Sequence, residues 1–448
     1  MTRSVRTALL AVVVVVLGLL VAPPAVAQPV PGDQPLPGYT IDNPPLEPLV
    51  VDGAPTTVRQ GVEQNAAYTL EVPARWNGEL LLWAHGFRGN GTVLTVDPPQ
   101  YGLRERVLAQ GYAWAASSYS RNDYDVRSGV ESTRALAALA PSLLPATPSR
   151  TLLAGVSMGG HVIARSLEQY PGVYAGALPL CGVLGDQQLF DYFLDYNLVA
   201  QDLADVDAHP FPADYATAVA PGIAVELGIA GLDPGEEITT PEGRQLRDIT
   251  IERSGGPRPG AEASFALWED FLFGLGAPDD GGRLARTPGR LSQNVLTVYR
   301  PNRPEPVNRT VERVAPADLG ARFDPRLTEV PLVFGRPGVP VVSLHGLGDL
   351  FVPFSMEQVY ARDVARNGQS GLLVQRAVRA AQHCEFSPAE VGRAWDDLTA
   401  WVAGGARPAG DPVLDRRAVA DPAFGCRFSD PTGGPPGTRP LYPPCPAG

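Results

Sequence analysis

A strand-like apolar run, Thr151-Leu152-Leu153-Ala154, breaks into Gly155-Val156-Ser157-Met158-Gly159. This pentapeptide constrains the fold more than any other stretch. A serine flanked two residues either side by glycine, directly after a strand, describes a turn too sharp for side chains, where the chain passes into a helix lying close to the strand. Such a turn projects the Ser157 hydroxyl clear of the sheet, as a nucleophile requires. The bland reading is an ordinary turn serine in a chain with 48 glycines, so the surroundings must decide.

Upstream, the buried-strand run Glu79 to Ala84 ends in His85-Gly86-Phe87-Arg88-Gly89, a glycine-interrupted turn whose amides can face a ligand. Downstream, the strand Val339 to Leu344 runs into His345-Gly346-Leu347-Gly348-Asp349, and the strand Leu372 to Val378 precedes Ala381-Gln382-His383-Cys384. Ser157, Asp349 and His383 thus each follow a strand, in the chain order nucleophile, acid, base. On these residues the chain resembles the α/β-hydrolase fold, and His345 to Pro353 is similar to that family's acid loop, H-G-x-x-D-x-x-V-P. The resemblance covers residues 60–184 and 335–405. It implies an oxyanion hole formed by the amide of Met158 and one from the His85 to Arg88 turn, with Phe87 the first choice.

Elimination points the same way. The chain contains no lysine, all 36 basic residues being arginine, so Ser-Lys dyads, Schiff bases and P-loop phosphate binding are excluded. The base for Ser157 is then sought among five histidines. His161 lies one helical turn past Ser157 and points along the helix. His209 sits in His209-Pro210-Phe211-Pro212 with no strand before it, and His345 reads first as a turn residue beside glycine and second as a site-lining one. His85 reads first as a turn residue and second as a substrate-lining one. His383 is left as the base. Among acids, Asp363 falls on a polar helix face and Asp324 precedes a proline, which leaves Asp349.

Arg3 and Arg6 precede an uncharged run that breaks at Pro23-Pro24, and Ala25-Val26-Ala27 offers small residues for cleavage before Gln28. Residues 1–27 read as a secretory signal peptide; as a membrane anchor the run is too short. The formal charge of −12, more negative once Arg3 and Arg6 are removed, argues against nucleic acid or an anionic membrane as partner. Four cysteines in an exported chain suggest disulfides. Cys426 and Cys445 share a Pro/Gly-rich tail and are paired with each other. Cys181 and Cys384 both fall at the carboxyl edge of the expected sheet, so a bond between them would staple the base loop to the core; a buried free thiol at Cys181 is the alternative. The tail pair is expected to matter far less to activity.

Strands alternating with helices from 60 to 184 and from 335 to 405 predict an α/β fold with a mainly parallel sheet. Residues 28–59 read as a Pro-rich arm, extended on the surface or disordered, and 406–448 as a disulfide-closed tail. Residues 185–334 break the alternation and are expected to form a cap over the carboxyl edge, with helices Gln187 to Leu198 and Ala263 to Gly274. Phe190, Tyr192 and Phe193 would line a substrate pocket there or simply pack the cap onto the core. The expected function is a secreted serine hydrolase cleaving carboxylic esters, small or oligomeric, through an acyl-enzyme. No cofactor or metal is called for; the acidic pairs Asp279-Asp280 and Asp396-Asp397 are weak candidates. Three resemblances leave the substrate open. Cysteine beside the base is similar to feruloyl-esterase and tannase-type enzymes, although those carry a second cysteine where Val156 stands. Exported tripeptidyl and prolyl aminopeptidases of actinobacteria share the elbow and a large cap, and would need acids such as Glu236-Glu237 or Glu269-Asp270 for a substrate amine. Extracellular polyester depolymerases share secretion and fold. A non-catalytic binding protein is the remaining class, and three filled triad positions argue against it. Oligomeric state is not legible.

Overall fold

The apolar runs become the strands of one eight-stranded sheet. In the computed structural model, which describes residues 32–275, 286–430 and 437–445, these are β1 (Thr57–Glu63), β2 (Ala66–Val72), β3 (Glu79–Ala84), β4 (Ala113–Ser117), β5 (Arg150–Val156), β6 (Gly176–Leu180), β7 (Val341–Gly346) and β8 (Leu373–Val378). They lie in the order β8-β7-β6-β5-β3-β4-β2-β1. Strands β3 to β8 are mutually parallel, and β2 runs antiparallel to both β1 and β4. This is the α/β-hydrolase fold.

Period-two alternation explains the near-continuous apolar character of the central strands. On β3, Leu80, Leu82 and Ala84 face one layer, while Leu81 and Trp83 face the other. The first layer is α2 (Val126–Leu143), α3 (Met158–Gln169) and α7 (Ser355–Arg366); the second is α1 (Leu103–Ala109) and α8 (Pro388–Val402). Each fully buried large side chain of this kind contributes about 1.5–3 kcal/mol, so both layers are firmly held.

Between β6 and β7 the described residues contain helices and loops and no strand. The longest helices are α4 (Gln188–Leu203), α5 (Pro241–Arg253) and α6 (Ala261–Phe273). Helix α4 is buried nearly all round, which places it between the sheet layer and the rest of the insertion. Its buried acids are paired: Asp191 with Arg322, and Asp195 with Arg253 and the Tyr299 hydroxyl. The two ends of the insertion are tied together. The Val333 amide donates to Asp186 at 2.9 Å and the Gln187 side-chain amide to the Val330 carbonyl at 2.9 Å.

The N-terminal segment departs from the arm read in the sequence. Thr40–Asp42 pairs with Val93–Thr95, and Thr57–Glu63 is the edge strand β1, so the sheet begins before residue 60. An edge strand with Arg59, Gln60 and Gly61 at its middle carries little apolar alternation, which is why its pattern is weak. The expected signal peptide and Asp279-Asp280 lie outside the described residues. Asp396 and Asp397 pair with Arg106 and Arg376, an ordinary use of helix-face acids. Among the described residues no helix is long and apolar enough to cross a membrane.

Candidate active site

The elbow is built by close approach of two strands. A side chain on Gly155 or Gly159 would place its Cβ 2.3 or 2.2 Å from the Ala84 carbonyl oxygen at the end of β3. Neither position can carry one. Ser157, forced between them, adopts φ 55° and ψ −122° at the start of α3. For a residue with a side chain this costs on the order of 1–3 kcal/mol, held by the packing around it. The turn after β3 lies directly against the serine, since a Cβ on Gly86 would sit 3.0 Å from that of Ser157. Among the described residues the Met158 and Phe87 amides donate to no protein acceptor. The Met158 amide opens a helix, where the dipole also favours negative charge.

Asp349 is fully buried in the loop after β7. One carboxylate oxygen accepts from the Phe351 and Val352 amides, each at 3.0 Å, and the other lies 2.6 Å from His383 Nδ1. His383 Nε2 is 2.9 Å from the Ser157 hydroxyl. With Nδ1–H committed to the carboxylate, Nε2 is the unprotonated nitrogen and accepts from Ser157. The acid loop is supported from below by His345, whose Nε2 donates to the Val352 carbonyl at 2.7 Å and whose Nδ1 faces Glu357 at 3.3 Å. Burial alone would lower the pKa of His345, but the Glu357 hydrogen bond and charge outweigh it and raise the value.

Several elements hold the base loop. Cys384 is bonded to Cys181 at the end of β6, and Cys426 to Cys445. The Trp268 indole donates to the Ala381 carbonyl at 2.7 Å, and the Tyr101 hydroxyl to the Cys384 carbonyl at 2.9 Å. Cys181, His383 and Cys384 form a tight cluster, but with both sulfurs in a disulfide it offers no thiolate to a metal.

The aromatic residues expected to line a pocket divide. Phe193 stacks on Phe351, with ring centroids 6.0 Å apart, and Phe351 meets the His383 ring edge-on at 5.0 Å. Phe190 packs edge-on against Tyr124 inside the core. Tyr192 turns into the insertion, lining a small cavity with Asp195, Leu246 and Arg253, so it corrects the expectation of a substrate-lining role. His85 corrects it too. It is buried, stacks on Tyr119 at 3.8 Å, and sets its two ring nitrogens against the Gly86 and Ser118 carbonyls. Burial and the nearby Arg88 charge push its pKa down to about 3, so it is a neutral brace beneath the turn. Phe351, Phe271 and Trp268 form the aromatic wall nearest the base. In the sequence Trp268 and Phe271 fall in the expected helix Ala263 to Gly274 and Phe351 follows Asp349, with no signal that joins the three.

No protein-family model matches the chain. Over 89 residues, 20% of this chain and 19% of that one, it is 33% identical to o-phthalyl amidase from Xanthobacter agilis. The match therefore spans about a fifth of that relative's length. Among solved structures the chain is similar to an esterase from Aspergillus oryzae, at a TM-score of 0.48 and 15% identity, over 79% of this chain and 81% of that one. Feruloyl esterase B from Aspergillus oryzae is another, at 0.47 and 13%, over 80% and 81%.

Proposed function

We propose that this chain is a secreted serine hydrolase that cleaves carboxylic esters through an acyl-enzyme. The observation that carries the reading is the unbroken series Asp349, His383, Ser157, with contacts of 2.6 and 2.9 Å. His383 takes the Ser157 proton as the hydroxyl oxygen attacks the ester carbonyl, and Asp349 stabilises the imidazolium. The amides of Met158 and Phe87 receive the oxyanion; such a donor is worth about 3–4 kcal/mol of barrier. His383 then returns its proton to the leaving alcohol. Water repeats the sequence on the acyl-enzyme and releases the acid.

Residues 185–334 act as the cap that selects substrate, with Phe351 and Phe193 forming an apolar wall beside the base. Secretion is supported by the leader-like N-terminus and by two disulfides, which persist in oxidising compartments. Amide cleavage is the second reading, favoured by the local identity to an amidase. An aminopeptidase using Glu269 to hold a substrate amine is disfavoured. That carboxyl is buried, and burial with the Asp270 charge pushes it up to about 8, leaving it neutral at pH 7.

A fluorophosphonate probe should label Ser157, and a panel of p-nitrophenyl esters beside aminoacyl p-nitroanilides should show turnover mainly on the esters. Labelling without ester turnover would favour the amide reading. Absence of labelling would remove the serine-hydrolase assignment.

A further inference from the structure

Asp349 and His383 come from different loops, so their contact depends on how far apart those loops are held. The base loop, between β8 and α8, contains neither helix nor strand. Much of its support comes from the C-terminal tail. The Thr438 hydroxyl accepts from the Ala381 amide at 2.6 Å and the Gln382 amide at 3.3 Å, and the Thr438 amide donates to Glu385 at 2.9 Å. Arg379, just after β8, donates to the Pro443 carbonyl at 2.7 Å. The tail is closed on itself by Cys426–Cys445.

One residue of this tail touches three regions at once. Tyr442 is buried, 7% exposed. Its hydroxyl donates to the Ala380 carbonyl at 3.0 Å, and the same carbonyl accepts the Gly348 amide of the acid loop at 2.9 Å. A single oxygen three residues before His383 thus joins base loop, acid loop and tail. The ring fills the space that glycines leave for it. A Cβ on Gly348 would lie 2.5 Å from the Tyr442 hydroxyl oxygen, and one on Gly260, beside α6, 2.4 Å from its ring.

We propose that Tyr442 is a positioning residue that sets the spacing between the acid and base loops. The proposal rests on the triad reading above. Its physical basis is that a reacting constellation has to be held within about 0.5 Å, and that a misplacement of about 1 Å costs on the order of a hundredfold in rate. Tyr442 touches neither substrate nor the reacting atoms; it acts through the two loops.

The test compares the full-length protein with Tyr442→Phe, which keeps the wedge and loses the hydroxyl bond, and Tyr442→Ala, which removes both. Measured on a p-nitrophenyl ester, Tyr442→Ala should lower kcat about 100-fold with KM within about threefold, and Tyr442→Phe should lower kcat about three- to tenfold. Hydrogen exchange should quicken in Tyr442→Ala across residues 345–352 and 379–385 and stay at the parental rate across 155–160. A folded Tyr442→Ala variant with parental kcat, or exchange that rises evenly over the whole sheet, would overturn the proposal. Should the alanine variant not fold, Tyr442→Phe decides: parental kcat and parental exchange in both loops count against it. Failure of fluorophosphonate to label Ser157 in the parent would instead remove the triad reading, and the exchange measurement would still report whether Tyr442 holds the loops.

Discussion

Ser157 and His383 stand 2.9 Å apart and are held in opposite ways. The serine is fixed by main chain: two glycines, the end of β3 and the start of α3 leave it one conformation. The histidine is fixed by side chains that reach it from far along the chain, including Cys181, Tyr101, Trp268 and Thr438. The difference teaches that a serine elbow can be encoded by five adjacent residues, whereas a histidine on an irregular loop needs contributions from most of the molecule.

The largest effect should come from the nucleophile itself. Ser157→Ala should fold with an unchanged melting temperature and retain only the residual catalysis, about 10³–10⁴ over water, that binding and the oxyanion donors sustain. Near-parental turnover would break the comparison at its first term. Gly159→Ala comes next, because its Cβ would meet the Ala84 carbonyl at 2.2 Å. Forcing that contact apart should cost about 1–3 kcal/mol or more of stability and on the order of a hundredfold in activity. A variant with parental activity and melting temperature would show that the elbow is softer than its geometry implies.

On the base side the losses should be smaller and more distributed. Replacing Cys181 and Cys384 together by serine should lower kcat about ten- to a hundredfold and stability by about 2–4 kcal/mol. The tail disulfide was expected to matter far less. The contacts of Thr438 and Tyr442 change that expectation, and a Cys426→Ser, Cys445→Ser variant should lose about tenfold in kcat. Activity within twofold of the parent would restore the original view of the tail as a peripheral closure.

The smallest effect concerns pH, where two buried histidines have opposite signs. His161, on α3, is pushed down to about 3 chiefly by burial and stays neutral between Tyr124 and the Pro331 carbonyl. As pH falls below the ordinary 6.5, the unfolded chain takes a proton that the native state refuses, so stability is lost. His345, below the acid loop, has a raised pKa because Glu357 outweighs burial. Its contribution is complete below the unfolded value and is lost as pH rises through the folded one. His161→Gln should therefore flatten the acid side of a plot of melting temperature against pH, and His345→Gln the alkaline side. Equal flattening on both sides in either variant would contradict these assignments.

What the sequence made legible follows the same division. The elbow and the central strands are local patterns of spacing and periodicity, and they could be read directly; the grouping of Ser157 with Asp349 and His383 rests on elimination and on the family resemblance. Edge strand β1 could not, because none of its residues is fully buried and its sequence carries little apolar alternation. Phe351 was invisible as a neighbour of the base because its partners, Phe193 and Phe271, approach it from the insertion. Tyr442 looked like one more residue of a proline-rich tail. Its importance lies in the space left by Gly260 and Gly348, and nothing in the spacing of those three positions brings them together. Tyr192 shows the converse: of the two roles open to it, pocket lining or packing, its surroundings favour packing, because a helix buried all round has most of its rings facing its own neighbours.

The Cys181–Cys384 bond spans 203 residues, and the whole of the 185–334 segment lies inside the covalent loop it closes. A protease that nicks that segment would leave two fragments still joined beside Ser157 and His383. The same closure bears on ancestry. Segments of new length or composition could be accepted between β6 and β7 while the loop's two ends stay fastened, so this part of the chain is free to diverge around a tethered Ser157 and His383.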